Sequence, residues 1–164
     1  MKQFFFLLFI VLIFENCNQQ SDNTKALEVR IDSLEKKIND SYKPGLGEFM
    51  SGIQVHHIKL WFAGLNENWE LADFEIHEIM ESVDAIKKYE IERSESKLIP
   101  MLEPALDSVN AAIRQKNLSQ FKNSFVLLTN TCNNCHKAVN YSFNNVKIPE
   151  SPPFSNQVFQ KEKK

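Results

Sequence analysis

Four stretches between residues 46 and 139 place apolar side chains three or four positions apart, which is the period of a helix with one buried face. The pattern predicts helices over about 46–63 and 68–94, a third from the break at Pro100 and Pro104, and a fourth over about 117–139. Their stripes are Leu46, Met50, Ile53, His57 and Trp61; Ala72, Ile76, Ile79, Val83 and Ile86; Leu102, Leu106, Val109 and Ile113; and Phe121, Phe125, Leu128 and Cys132.

These helices predict an all-α fold, because short connections between amphipathic helices favour an up-down-up-down four-helix bundle. Asn68 and Asn117 are suitable N-caps for the second and fourth helices. The periodicity ends after Val139, and the prolines from Pro149 to Pro153 predict an extended C-terminal tail. We expect the chain to consist of three parts: an N-terminal leader (1–16), a tether with a short helix (17–44) and the helical domain with its tail (45–164).

The glycines are confined to the first part of the chain. Gly45, Gly47, Gly52 and Gly64 are all of them, so none follows residue 64. Gly64 is expected to close the first bundle helix. The absence of later glycines argues against tight hairpin turns with positive φ and favours helices joined by polar or proline-containing links.

An apolar run of eleven residues, 4–14, follows Lys2 at the N-terminus. It has the length of a signal-peptide core and is shorter than the ~20 residues of a membrane-spanning helix. A cysteine, Cys17, and a polar segment come directly after it. This arrangement resembles a bacterial lipoprotein signal, which implies removal of residues 1–16 and acylation of Cys17. Ordinary cleavage with secretion, and a retained anchor, are the alternatives, and each implies export to the cell envelope, facing the periplasm or the cell surface.

Residues 27–38 form a narrow apolar seam among charged residues, which predicts a short N-terminal spacer helix. The seam consists of Leu27, Ile31, Leu34 and Ile38. Two heptads are few for a coiled coil, so a spacer is favoured over self-association. Pro44 then ends the helical pattern.

The overall charge argues against one class of partner. The chain has 19 Lys and Arg against 21 Asp and Glu, with a formal net charge of −2. Without a basic excess it is not expected to bind nucleic acid.

The segment Cys132-Asn133-Asn134-Cys135-His136 contains C-x-x-C-H, the pattern of covalent c-type haem attachment. On a helix, positions i and i+3 share a face, so both cysteines can form thioethers with the vinyl groups of one haem. The next residue, His136, can then bind the iron as proximal ligand. A redox dithiol and a zinc site are the alternatives; zinc would need further ligands from His56, His57 or His77.

A four-helix domain whose C-x-x-C-H lies on the last helix is similar to the cytochrome c prime family of c-type cytochromes. The resemblance covers residues 45–164 as architecture and is specific at Cys132, Cys135 and His136. It implies one haem c between the helices with His136 as an axial ligand. It also implies a distal position on the first helix that is open or filled by Met, and an antiparallel homodimer.

Met50 is the favoured distal ligand. In antiparallel helices it lies at a height similar to that of His136, whereas His57 is seven residues, roughly 10 Å, further along the axis. His57 and, less favoured, His56 remain alternatives, as does an open site. Otherwise Met50 is a core residue, and His57 lines the haem edge or is a buried imidazole bonded to Glu75 or Glu78.

Other chemistry-bearing residues are interpreted structurally. Glu75, Glu78 and Glu81 lack the Glu-x-x-His spacing of a ferritin-like metal site, and His77 is expected to point outward. The aromatic residues of the first two helices are expected in the core; they are Trp61, Phe62, Trp69 and Phe74.

The expected function is single-electron transfer by His/Met-ligated haem iron, without catalysis, toward redox partner proteins of the cell envelope. An open iron would instead bind nitric oxide or carbon monoxide. A catalytic role would require a distal acid or base, for which His57 is the candidate.

Overall fold

The computed structural model describes residues 23–38, 41 and 44–162. These residues form five α-helices and one 3₁₀ helix, and they contain no strand. The predicted all-α class is therefore confirmed. The predicted signal sequence 1–16, Cys17 and the start of the tether lie outside the described residues.

The chain divides into two compact units, Met1–Lys43 and Pro44–Lys164. In the first unit, helix α1 spans residues 23–38 and includes the predicted apolar seam, whose side chains are exposed. No helix in the described part of the chain is both long enough and apolar enough to cross a membrane.

Helices α2 (Leu46–Leu65) and α3 (Trp69–Tyr89) open the second unit. The side chain of Asn68 accepts a hydrogen bond from the Leu71 amide, so the predicted N-cap is confirmed. Helix α3 ends five residues before the predicted boundary near 94, because the chain turns at Glu90 and continues into a separate 3₁₀ helix.

The 3₁₀ helix, Glu95–Leu102, leads directly into α4, Glu103–Arg114. It buries Ser96, Ile99 and Leu102. Their spacing of three matches the three residues per turn of this helix type, which explains why the segment does not continue as α-helix. Pro104 lies in the first turn of α4, where its missing N–H leaves no hydrogen bond unmade.

Helix α5, Leu118–Ala138, completes the helices and carries the C-x-x-C-H motif in its last two turns. Its predicted cap is confirmed, since Asn117 accepts a hydrogen bond from the Gln120 amide. Helix α2 packs against α3 and α5, and α4 packs against the same two helices. The predicted stripes supply much of the shared core, including Ile76, Val109, Phe121 and Phe125. Leu60 is also fully buried, although it lies outside the stripe predicted for α2.

One expectation about glycine was wrong. Gly64 does not end α2, which continues to Leu65; it lies within the helix, where a Cβ would overlap the ring of Phe121. The chain that follows α2, α4 and α5 is polar, as expected, and a non-glycine residue has positive φ in each place: Glu67 (φ 52°), Lys116 (φ 51°) and Asn140 (φ 65°).

These three residues follow the ends of α2, α4 and α5, and each occupies the left-handed position of a Schellman motif. After α5, for example, the amide of Asn140 donates to Lys137 O and that of Tyr141 donates to His136 O at 2.7 Å. Hydrogen bonds to the last helical carbonyls compensate for the unfavourable conformation of a side-chain-bearing residue there.

Residues 139–162 form no helix and no strand, but they contact the core. Phe159 is buried, its ring lies 5.8 Å from that of Phe62, and its carbonyl accepts a hydrogen bond from Asn68 Nδ2. Among the aromatic residues predicted in the core, Trp61, Phe62 and Trp69 pack there, whereas Phe74 is 54 % exposed and that prediction was wrong.

Candidate functional site

The two cysteines of the motif lie on the inner side of α5. Cys135 is buried, Cys132 is partly buried against the core, and both thiols are free. Positions 132, 135 and 136 are three and four residues apart on the helix, so their side chains share one face.

A cavity of about 210 Å³ adjoins that face, between α2, the 3₁₀ helix, α5 and the segment after α5. It is lined by Cys132, Cys135 and His136 from α5, and by Met50 and His57 from α2. The structure thus brings these five predicted site residues together. His56, the less favoured distal alternative, is not among the residues that line the cavity, and Cys17 lies outside the described residues.

The imidazole of His136 is oriented by the chain that follows it. Its Nδ1 lies 2.6 Å from the carbonyl oxygen of Asn144. Because a carbonyl only accepts hydrogen bonds, Nδ1 carries a proton, and in the neutral form of the ring Nε2 then has the lone pair. A neutral imidazole held in this way at one nitrogen is the usual state of a metal-binding histidine.

His57 has a different environment. It is only 3 % exposed, its ring lies 4.4 Å from that of Phe125, and its Nε2 lies 2.9 Å from Thr129 Oγ1. The Thr129 hydroxyl donates to Phe125 O, so it accepts from His57, which fixes the proton of His57 on Nε2. Burial lowers the pKa of His57 from 6.5 to about 4, which keeps the imidazole neutral at pH 7.

This arrangement bears on two expectations. The prediction that a buried His57 would bond to a carboxylate was wrong, because its hydrogen-bond partner is the hydroxyl of Thr129. A general acid or base works best with a pKa near the working pH, so a His57 pKa of about 4 is poorly suited to proton transfer at neutral pH.

The carboxylate of Glu75 instead pairs with the neighbouring histidine, His56. Its Oε2 lies 2.6 Å from His56 Nδ1, and the side chain is fully buried between α2 and α3. Among the described residues, none donates a hydrogen bond to its Oε1; the ammonium of Lys59 lies 3.7 Å away. His56 and Lys59 of α2 therefore form a polar cluster with Glu75 of α3.

The alternative of a structural zinc site needs one ligand besides the two cysteines and His136. The side chain of His56 is bonded to Glu75, and exposed His77 donates from Nδ1 to the carbonyl of Asp73 at 2.7 Å. The outward position predicted for His77 is confirmed. Within the described ranges, no three His, Cys, Asp or Glu side chains form a group suited to hold a metal ion.

The thiols also lack the properties of a redox dithiol. Burial raises the pKa of Cys132 to about 11 and also raises that of Cys135. Reactive dithiols have lowered thiol pKa values, typically at a helix N-terminus. Here both lie near the C-terminal end of α5, where the helix dipole disfavours an anion.

The residues present fit a covalently bound haem. The cavity offers two neighbouring thiols, an imidazole with a free Nε2 and, from the other helix, a thioether, and its wall includes the apolar side chains of Ile53 and Leu102. Its volume is below the ~300–1,000 Å³ of ordinary ligand pockets, so the fit rests on the donor set and not on the size of the cavity.

Three residues of the site were not predicted from the sequence. Asn144 and Val146 line the cavity from the segment after α5, and Asn133 hydrogen-bonds Val146. No periodicity or motif marks this segment, since it contributes mainly backbone groups. The two asparagines between the motif cysteines were the sequence feature that could have indicated a polar contact with another part of the chain.

Comparisons of the chain with protein-family models, with curated proteins and with solved structures find no match.

Proposed function

We propose that this protein is an exported c-type cytochrome that carries one covalent haem and transfers single electrons. The observation that supports it most directly is the shared cavity: Cys132, Cys135 and His136 from α5 face it together with Met50 from α2. Bound haem would supply a one-electron iron couple, which none of these side chains provides alone.

Each residue has a role that follows from its chemistry. Cys132 and Cys135 would form the two thioethers, and His136 would bind iron through Nε2, because its Nδ1 donates to Asn144 O. Met50 is the proposed distal ligand. Its competitor His57 donates from Nε2 to Thr129, so only its Nδ1 has a lone pair with which it could bind iron.

The proposed architecture is an up-down-up-down four-helix bundle similar to the cytochrome c prime family, built from α2, α3, the 3₁₀ helix with α4, and α5. Support comes from the packing of α2 on α3 and α5, and of α4 on the same two helices. The short links at Glu67 and Lys116 reverse the chain between consecutive helices. A homodimer, as that family implies, is part of the proposal.

Ligand substitution tests the distal assignment. In Met50→Ala, the oxidised protein should lose the near-infrared band of Met-to-iron ligation, and the reduced protein should bind carbon monoxide. Met80→Ala is the matched control, because Met80 is a partly buried methionine on α3. It should retain the wild-type spectrum.

The same measurement separates electron transfer from gas binding. A wild-type protein that is high-spin and binds carbon monoxide rapidly would contradict the electron-carrier proposal and identify an open site. A reversible one-electron titration with low-spin spectra in both oxidation states is expected from His/Met ligation.

We further propose that Cys17 is acylated and holds the domain at a cell-envelope membrane, where redox partner proteins exchange electrons with it. Cys17→Ser should move the protein from the membrane fraction to the soluble exported fraction. Unchanged fractionation of this variant would exclude the anchor while leaving the haem proposal intact, since Cys17 and the C-x-x-C-H motif lie in separate units.

A further inference from the structure

Asn133, the first residue between the two motif cysteines, forms two hydrogen bonds with the backbone of Val146. Its Nδ2 donates to Val146 O at 2.8 Å, and its Oδ1 accepts from Val146 N at 2.8 Å. One side-chain amide thereby satisfies the donor and the acceptor of a single residue, as a neighbouring strand would.

The segment that Asn133 holds is the one that orients His136. Asn144, two residues before Val146, accepts the hydrogen bond from His136 Nδ1 at 2.6 Å. Positions 133 and 136 are three apart on α5 and share a face, so the segment is bound to the helix at two neighbouring points.

This segment has little regular structure to hold it otherwise. The Schellman motif at Asn140 reverses the chain after α5, and a turn follows in which Asn144 N donates to Tyr141 O at 2.9 Å. Residues 145–149 are neither helix nor strand. The hydrogen bonds to the Asn133 side chain are therefore a principal restraint on where this backbone lies.

We infer that Asn133 is a positioning residue for the iron ligand: it holds residues 144–146 so that the Asn144 carbonyl stays on His136 Nδ1. The inference rests on the proposed function. A hydrogen bond from the far nitrogen makes a ligating imidazole a stronger electron donor. Since stronger donation favours oxidised iron, loss of Asn133 should favour the reduced form.

The test compares Asn133→Ala with Asn134→Ala in the full-length protein. The control removes the same side chain from the adjacent position, where it is exposed. In Asn133→Ala, the Val146 amide should exchange with deuterium about tenfold faster or more, the factor expected from the loss of its hydrogen bond. Asn134→Ala should exchange at the wild-type rate.

A second readout separates positioning from a purely structural role. Asn133→Ala should shift the reduction equilibrium toward the reduced form, and a potentiometric titration measures this shift at ~59 mV per tenfold change for one electron. Asn133→Asp retains the acceptor and loses the donor, so the exchange rate of its Val146 amide should lie between those of Asn133→Ala and wild type. This variant also provides the test if the alanine variant does not fold.

The outcomes distinguish the inference from the function on which it rests. A wild-type chain without covalent haem overturns the proposed function and the inference with it. A haem-bearing Asn133→Ala protein with wild-type potential, or with wild-type exchange at Val146, overturns the inference alone.

Discussion

Among single residues, His57 shows how burial sets the charge of a titratable group. Its ring is packed on Phe125 and its N–H is bonded to Thr129, so a proton added to it would sit in a poorly solvated site. Desolvation consequently lowers its pKa to about 4. The cavity beside Met50 therefore has an uncharged histidine in its wall at neutral pH.

This pKa shift predicts a pH dependence of stability. The unfolded imidazole gains a proton as the pH falls through 6.5, whereas folded His57 stays neutral until about pH 4. The free energy of unfolding should therefore decrease by up to about 3 kcal/mol as the pH is lowered from 6.5 to 4. Above pH 6.5 His57 is neutral in both states and causes no such loss of stability. Urea unfolding across this range measures it.

In His57→Leu, the free energy of unfolding should decrease less between pH 6.5 and 4 than in wild type, because the substitution removes the group that is protonated only in the unfolded chain over this range. His77→Gln, at an exposed position on α3, should retain it. Equal pH dependence in wild type and His57→Leu would refute the assignment.

At this scale the sequence predicted much of the candidate site. The C-x-x-C-H spacing identified Cys132, Cys135 and His136, because it depends only on helical geometry. Asn144 was beyond prediction because it acts through its carbonyl, whose position depends on how the segment after α5 folds back. The partner of His57 was mistaken because adjacent residues, His56 and His57, point to different neighbouring helices.

Among the helices, the positions of contact were predicted better than the ends. Apolar periodicity identified the buried stripes, whereas the end of α3 depends on a 3₁₀ segment whose period of three resembles a continuation of the helix. Polar links between the helices were predicted, but the positive φ of Glu67 and Lys116 was not, because neither residue is glycine. Backbone hydrogen bonds in the Schellman motif outweigh the preference of this conformation for glycine.

The contact of α2 with α5 is tight at one point, and this predicts opposite effects for two glycines of α2. In Gly64→Ala, the new methyl group would overlap the Phe121 ring, so the free energy of unfolding should fall by about 1–3 kcal/mol. In Gly52→Ala the added Cβ meets no atom within 4 Å, so stability should rise by about 0.5–1 kcal/mol.

Chemical denaturation of both variants beside wild type measures these changes. A stabilised Gly64→Ala protein would show that α2 and α5 do not approach as closely as described.

For the domain of residues 44–162 as a whole, the C-terminal segment is part of the folded unit. The sequence predicted only a proline-stiffened tail, because a single buried aromatic residue in an aperiodic stretch gives no pattern. Phe159 nevertheless packs against Phe62, and its carbonyl is bonded to the N-cap of α3. The segment thus connects the start of α3 with the wall of the candidate haem cavity.

Substitution at the end of this segment should accordingly destabilise the domain. Phe159→Ala should lower the free energy of unfolding by about 3 kcal/mol, since it empties a buried ring site. Val158→Ala, at a position that is 72 % exposed, should change it by less than about 0.5 kcal/mol. Similar unfolding curves for the two variants would contradict the buried position of Phe159.

The central claim, covalent haem at the C-x-x-C-H motif, is tested most directly by intact mass spectrometry of the protein produced in cells with c-type cytochrome maturation machinery. We predict wild type with the added mass of one haem, no reactive thiol at Cys132 or Cys135, and a c-type pyridine haemochrome spectrum. The double variant Cys132→Ala/Cys135→Ala should carry no covalent haem. A wild-type chain of unmodified mass at these positions, with both thiols reactive, would contradict the account.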